Sequence, residues 1–116
     1  MQVTIYHNPK CSKSRQTLDL LIQNDIEPTI VEYLKEPPSH LQLDSILRGL
    51  DKSPRELIRT KETEYHDLNL DNLDLTREQL ISAMVENPKL IERPIVIAGD
   101  QIAIGRPPEA VFEILP

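Results

Sequence analysis

The first residues alternate. Val3 and Ile5 are apolar, Thr4 and Tyr6 fall between them, and Asn8-Pro9 breaks the run. A period of two belongs to a strand with one buried face, so a first strand is predicted to end near Tyr6. From Ser12 to Asn24 the period changes. Leu18, Leu21 and Ile22 sit at helical spacing among polar residues, which predicts an amphipathic helix with those three side chains turned inward. Thr29 to Tyr33, bounded by Pro28 and by Pro37-Pro38, reads as a second strand. Strand, helix and strand make a βαβ unit, for which a right-handed crossover is expected.

The middle of the chain has helical periods. Ser39 can cap a segment in which Leu43, Ile46, Leu47 and Leu50 repeat at i, i+3, i+4 and i+7, with Gly49 near its end. Ser53-Pro54-Arg55-Glu56 joins a capping serine, a proline at the first helical position and a glutamate three residues after the cap. Thr76-Arg77-Glu78-Gln79 repeats that logic ahead of Leu80, Ile81, Met84 and Val85, and Asn87-Pro88 stops it. About three short helices are predicted here. Beyond Arg93-Pro94, Ile95 to Ala98 and Ile102 to Ile104 flank Gly99-Asp100 as a hairpin, and Gly105-Arg106-Pro107-Pro108-Glu109 leads into a last helix with Val111, Ile114 and Leu115 inward. The order βαβ, helices, ββα is that of an α/β, thioredoxin-like fold with a small mixed sheet. Residues 1–116 are read as one domain with a helical insertion at about 39–88.

Charge and composition narrow the class. Thirteen Lys and Arg against nineteen Asp and Glu give a net charge of -6, with no long cationic run or aromatic platform, so no nucleic-acid partner is expected. The longest apolar stretches, such as Ile95-Val96-Ile97-Ala98, are far short of the roughly 20 residues that span a bilayer, so no membrane association is expected. A strand-like alternation starts directly after Met1, without the charged and apolar regions of a secretion signal, and a cytoplasmic location follows as the expectation. One cysteine cannot form an internal disulfide, which suits a reducing compartment. A monomer with no bound metal and no tightly bound cofactor is expected.

That cysteine lies in His7-Asn8-Pro9-Lys10-Cys11-Ser12-Lys13-Ser14-Arg15, where the first strand ends and the first helix begins. The amides of a helix's first turn lack internal partners, and with the helix dipole they favour an anion, either the thiolate or an oxyanion beside it. Lys10, Lys13 and Arg15 add positive charge. In such a place a thiol pKa can fall from about 8.5 to roughly 3.5–7.5, so Cys11 is read as an activated nucleophile. A lone cysteine elsewhere is more often a small buried hydrophobe, but polar neighbours on both sides make that burial costly here. His7 either orients and charge-stabilises the thiolate or is a surface residue. Cys11 is followed by Ser14 and not by a second cysteine, so no Cys-x-x-Cys dithiol cycle is available. Thr17 stands where the phosphate loop of low-molecular-weight tyrosine phosphatases requires arginine, which excludes that class.

His7 to Arg15, Arg93-Pro94-Ile95 and Gly105-Arg106-Pro107-Pro108 together resemble the ArsC-type arsenate reductases that use glutathione and glutaredoxin, over nearly the whole chain. The resemblance implies that Cys11 attacks arsenate or a related oxyanion, that His7 and Ser14 help activate the thiolate, and that Arg59, Arg93 and Arg106 hold the oxyanion. It also implies glutathione as co-substrate, glutaredoxin as protein partner, and a cis-proline at Pro94 beside the site. Arg59 has a weaker local signature than the other two arginines and can equally pair with Glu56 or Glu62 on a solvated helix. The chain stops at Pro116, short of the C-terminal extension of longer members. Two other readings stay open: a glutathione-dependent thiol oxidoreductase with a different substrate, and an Spx-type regulator that binds RNA polymerase. Ser14, where such regulators carry a second cysteine, counts against the last.

Overall fold

The alternation of the first residues becomes the second strand of a four-stranded sheet. The computed structural model describes residues 2–115. Its contacts separate two compact units, one formed by the chain up to Glu36 together with the chain from Arg93 onward, the other by Pro37–Glu92.

The first unit holds β1 (Val3–His7), α1 (Ser12–Gln23), β2 (Thr29–Glu32), β3 (Ile95–Ala98), β4 (Gln101–Ile104) and a 3₁₀ segment, Pro108–Glu113. The sheet order is β2-β1-β3-β4; β1 runs parallel to β2 and antiparallel to β3, which pairs antiparallel with β4. This is the mixed sheet and element order of a thioredoxin-like fold. Gly99, with φ 63°, makes the turn between β3 and β4 in a conformation that costs glycine little. Val3, Ile5, Leu21, Val96, Ala98 and Val111 form the buried core, with Leu18, Ile26, Ala103, Ile114 and Leu115 packed against it.

Two expectations change in this unit. The inner line of α1 runs through Ser14, Thr17 and Leu21, and Ile22 is 55% exposed. Each residue of a helix turns by about 100°, so the neighbour of a fully buried Leu21 is carried off the core face. The last helix is a 3₁₀ segment that opens on Pro107-Pro108, a form typical of short pieces.

The second unit contains α2 (His40–Leu50), α3 (Pro54–Leu57), α4 (Thr63–Asp67), α5 (Arg77–Glu86) and a 3₁₀ turn, Pro88–Leu90. The caps act as the sequence predicts: Ser39 and Thr76 accept the amides of Gln42 and Gln79, and the Glu56 carboxylate accepts the Ser53 amide at 3.1 Å. Four helices stand where about three were predicted, because α4 buries no side chain and so leaves no apolar period to detect. The left-handed residue that ends α2 is Asp51, φ 55°, and Gly49 remains inside the helix. Asp44 on α2 takes hydrogen bonds from Arg48 and Arg77, both at 2.9 Å, which ties α2 to α5.

Leu21 is fully buried at the centre of the first unit's core. Leu21→Ala is expected to cost about 2–5 kcal/mol, as large-to-small changes in a packed core do. Urea unfolding followed by circular dichroism checks it, and a loss within about 0.5 kcal/mol, the range of surface substitutions, would show that the core does not depend on this contact.

Candidate active site

Asn-Pro is a turn dipeptide, and here it shapes the loop that presents the thiol. The Cys11 amide donates to the Asn8 carbonyl at 3.0 Å, closing a β-turn with Pro9 in the position its fixed φ favours. The Asn8 side-chain oxygen accepts the Lys10 amide at 3.0 Å, and the Arg15 guanidinium donates to the Pro9 carbonyl at 2.9 Å. Cys11 is then the N-cap of α1, in extended conformation, with its sulfur partly exposed.

Beneath the loop lies a buried polar chain. His7 Nδ1 and Ser14 Oγ are 2.6 Å apart, and the Asn8 amide donates to Ser14 Oγ at 3.0 Å. His7, Asn8 and Ser14 are all buried, so His7 is not the surface residue it could have been. Burial holds the His7 pKa below the ordinary value; the Glu32 carboxylate on β2 opposes this and Arg15 adds to it. A neutral ring at pH 7 follows. The contact of His7 with Ser14 joins the end of β1 to the first turn of α1.

The sulfur has its own partners. Partial burial pushes the Cys11 pKa up, but the Ser14 amide, the Arg93 guanidinium and the Lys13 amide together outweigh it and hold the thiol below its ordinary value. Arg106 Nη2 lies 3.4 Å from Sγ, and Arg106 Nε donates to the Arg93 carbonyl at 2.7 Å. Residues 93 and 106 flank the β3–β4 hairpin, and the Gly105 amide donates to the Pro94 carbonyl at 2.9 Å, which keeps the two arginine segments side by side. The Arg93–Pro94 and Arg106–Pro107 peptide bonds are both cis, and Pro94 is buried next to the site. A thiol whose anion is favoured, two amides and two guanidinium groups thus converge where an oxyanion of tetrahedral shape can be gripped and attacked.

Arg59 belongs to the second unit. It follows α3 as extended chain, not helix, because Ile58 leaves the helix to bridge Ile91. Its Nη1 lies 2.7 Å from Glu92 Oε1 and its Nε 3.2 Å from Glu62 Oε1, so the glutamates that hold it are Glu62 and Glu92; Glu56 is engaged with the Ser53 amide. Among the described residues no group of three His, Cys, Asp or Glu side chains is placed to hold a metal ion.

A model of the ArsC family matches residues 6–114. The chain belongs to the ArsC family. An arsenate reductase of Haemophilus influenzae is 54% identical over 117 residues, covering 99% of this chain and 100% of its own length. An arsenate reductase of Rhizobium meliloti is 45% identical over 116 residues, covering all of this chain and 83% of its own. Among solved structures, an arsenate reductase from Vibrio cholerae superposes with a TM-score of 0.96 at 49% identity, covering 99% of this chain and 98% of its own. No helix among the described residues of this ArsC-family chain is long and apolar enough to cross a membrane.

The sequence assigns Asn8, Thr17 and Gly105 no individual role in the site, and it credits Arg15 with charge and not with the hydrogen bond to Pro9. The Asn-Pro pair carried a signal for Asn8, since asparagine side chains close such turns. The contact between Thr17 and Gly105 had none, because it spans 88 positions of the chain.

Cys11 is the one cysteine, so thiolate absorbance near 240 nm reports it alone. The expected midpoint lies below about 8.5, and Arg93→Ala should raise it. The sign for stability follows from linkage. A thiol whose folded pKa is depressed contributes fully above the unfolded value of about 8.5 and loses the contribution as pH falls through the folded midpoint. Wild type should therefore gain stability over Cys11→Ser as pH rises through that window in paired urea titrations. A difference that is flat with pH, or a midpoint at or above about 8.5, contradicts the assignment.

Proposed function

We propose that this protein is an arsenate reductase in which Cys11 is the single nucleophile, with glutathione as reductant and glutaredoxin as the partner that regenerates the thiol. The observation that carries the reading is the Cys11 sulfur 3.4 Å from the Arg106 guanidinium, with Arg93 and the first-turn amides of α1 favouring its anion. Membership of the ArsC family and relatives named arsenate reductase support it.

The steps follow from the residues. The Cys11 thiolate attacks arsenic and an arsenate hydroxyl, protonated from solvent, leaves as water, giving a sulfur–arsenic(V) bond whose oxygens face Arg93, Arg106 and the helix amides. A glutathione thiolate then attacks the Cys11 sulfur. The electron pair of the sulfur–arsenic bond goes to arsenic, which leaves as arsenite, and a Cys11–glutathione disulfide remains. With one cysteine in the chain, the disulfide cannot be resolved internally. An external thiolate must attack its glutathione sulfur and release Cys11 as thiolate, which is the part assigned to glutaredoxin.

A second reading is favoured by the same partly exposed lone thiol, which is equally placed for exchange with glutathionylated proteins. Thiol transfer needs the sulfur and not a grip on a tetrahedral oxyanion. Lysine at position 93 or 106 keeps the charge and loses the fork. Arg93→Lys and Arg106→Lys are expected to reduce arsenate turnover by about 10²–10³, as removal of a donor aimed at developing charge does, and to leave deglutathionylation of a model disulfide nearly unchanged. Cys11→Ser is the blank for both assays. A wild-type protein with robust disulfide activity and no arsenate turnover would establish the transferase instead.

A further inference from the structure

Thr17 and Gly105 meet inside the first unit at a distance that leaves no room for a side chain. A Cβ at position 105 would lie 2.5 Å from Thr17 Oγ1, 3.0 Å from Thr17 Cγ2 and 2.8 Å from Pro94 Cγ. Contacts below about 3 Å between such atoms are far inside the attractive minimum near 3.5–4.0 Å, so a methyl there forces something to move. Gly105 does not owe its identity to a left-handed φ, since Gly99 is the glycine with positive φ. Close approach is what requires it.

The parts form a closed ring. Cys11 caps α1 and Thr17 lies on the buried line of the same helix, so the helix fixes the distance between them. Thr17 Oγ1 donates to the Lys13 carbonyl at 2.8 Å, which locks its rotamer, and lies 3.5 Å from the Gly105 carbonyl. Gly105 is hydrogen-bonded to Pro94 and is followed directly by Arg106, whose guanidinium reaches back to both the Arg93 carbonyl and the Cys11 sulfur. The Thr17–Gly105 link is buried and the Gly105–Pro94 link is backbone, while both links of Arg106 are exposed.

We propose that Thr17 is a positioning residue for the thiol site: its packing against Gly105 and Pro94 sets how far the Arg93 and Arg106 segments stand from the Cys11 sulfur. Thr17 touches neither sulfur nor oxyanion and acts through the spacing of α1 from the arginine-bearing chain. The inference deepens the reading of the site above and rests on it only for what the arginines do to an oxyanion. The spacing itself is read by the thiol alone.

The test is a double-mutant cycle on the Cys11 titration, measured by absorbance near 240 nm without any oxyanion, with circular dichroism melts to confirm that each variant is folded. Gly105→Ala should push the guanidinium groups outward and raise the thiol midpoint by about one pH unit, since an opposite charge at close range shifts a pKa by roughly 1–3. Thr17→Ala should raise it less. The double variant, which removes both threonine contacts and leaves the approach to Pro94 Cγ, should return part of the way toward the wild-type midpoint, a compensation that mere loss of stability does not produce. Should Gly105→Ala fail to fold, Thr17→Val against Thr17→Ala decides: valine keeps the bulk and should hold the wild-type midpoint, while alanine should not. A folded Gly105→Ala with an unchanged midpoint, a double variant no nearer to wild type than Gly105→Ala, or valine and alanine at Thr17 behaving alike overturns the proposal. Arsenate turnover on the same proteins separates the two readings. If the midpoints behave as expected and even wild type does not reduce arsenate, the positioning role stands and the substrate falls.

Discussion

A sulfur anion at the start of a helix is stabilised by amides that have no other partner, and much of the first unit exists to keep those groups in place. The first-turn N–H groups of α1 cannot bond within the helix, so an anion at the N-cap satisfies them while lying at the positive end of the dipole. Cys11 occupies that position, and the Ser14 and Lys13 amides act on its sulfur. The burial that works against the charge is only partial, which leaves the sulfur open to a substrate and to a second thiol.

An anion stabilised this way needs a rigid frame, because the benefit falls steeply with misplacement. Below the thiol the frame is the buried chain of His7, Ser14 and the Asn8 amide, in which a neutral histidine holds a serine that in turn holds the loop. On the other side it is the β3–β4 hairpin, whose two flanks bring Arg93 and Arg106 together through the Gly105–Pro94 hydrogen bond. A net charge of -6 and a locally cationic pocket are compatible for this reason: the positive groups are few, and they are gathered by the sheet at one end of α1.

Arg59 shows how a charged side chain can be spoken for by its own surroundings. Glu62 and Glu92 hold its guanidinium in the second unit while the chain around it is extended and bridged to Ile91. Such half-exposed pairs contribute little to stability, and what they do contribute is orientation. Of the two partners the sequence offered, Glu62 holds Arg59 and Glu56 is engaged with a backbone amide at the cap of α3, while Glu92 is a partner the sequence did not point to.

Local rules were enough for a good part of this protein. Alternation in Val3 to Tyr6, the caps at Ser39, Ser53 and Thr76, and the glycine turn at Gly99 each depend on residues within a few positions of one another, so β1, α2, α3, α5 and the hairpin were legible in the sequence. The placement of Cys11 at a strand–helix junction was legible for the same reason. Where local signal was weak the reading failed: α4 has no apolar period, and Ile22 had the right spacing but the wrong side of α1. Only the tertiary structure decided that His7 is buried and neutral, that Arg93 and Arg106 meet at one sulfur, and that Gly105 must be glycine because Thr17 leaves it no space. Those facts depend on which strands pair and on how closely a helix lies to a distant loop, and neither quantity is written in any short stretch of the chain.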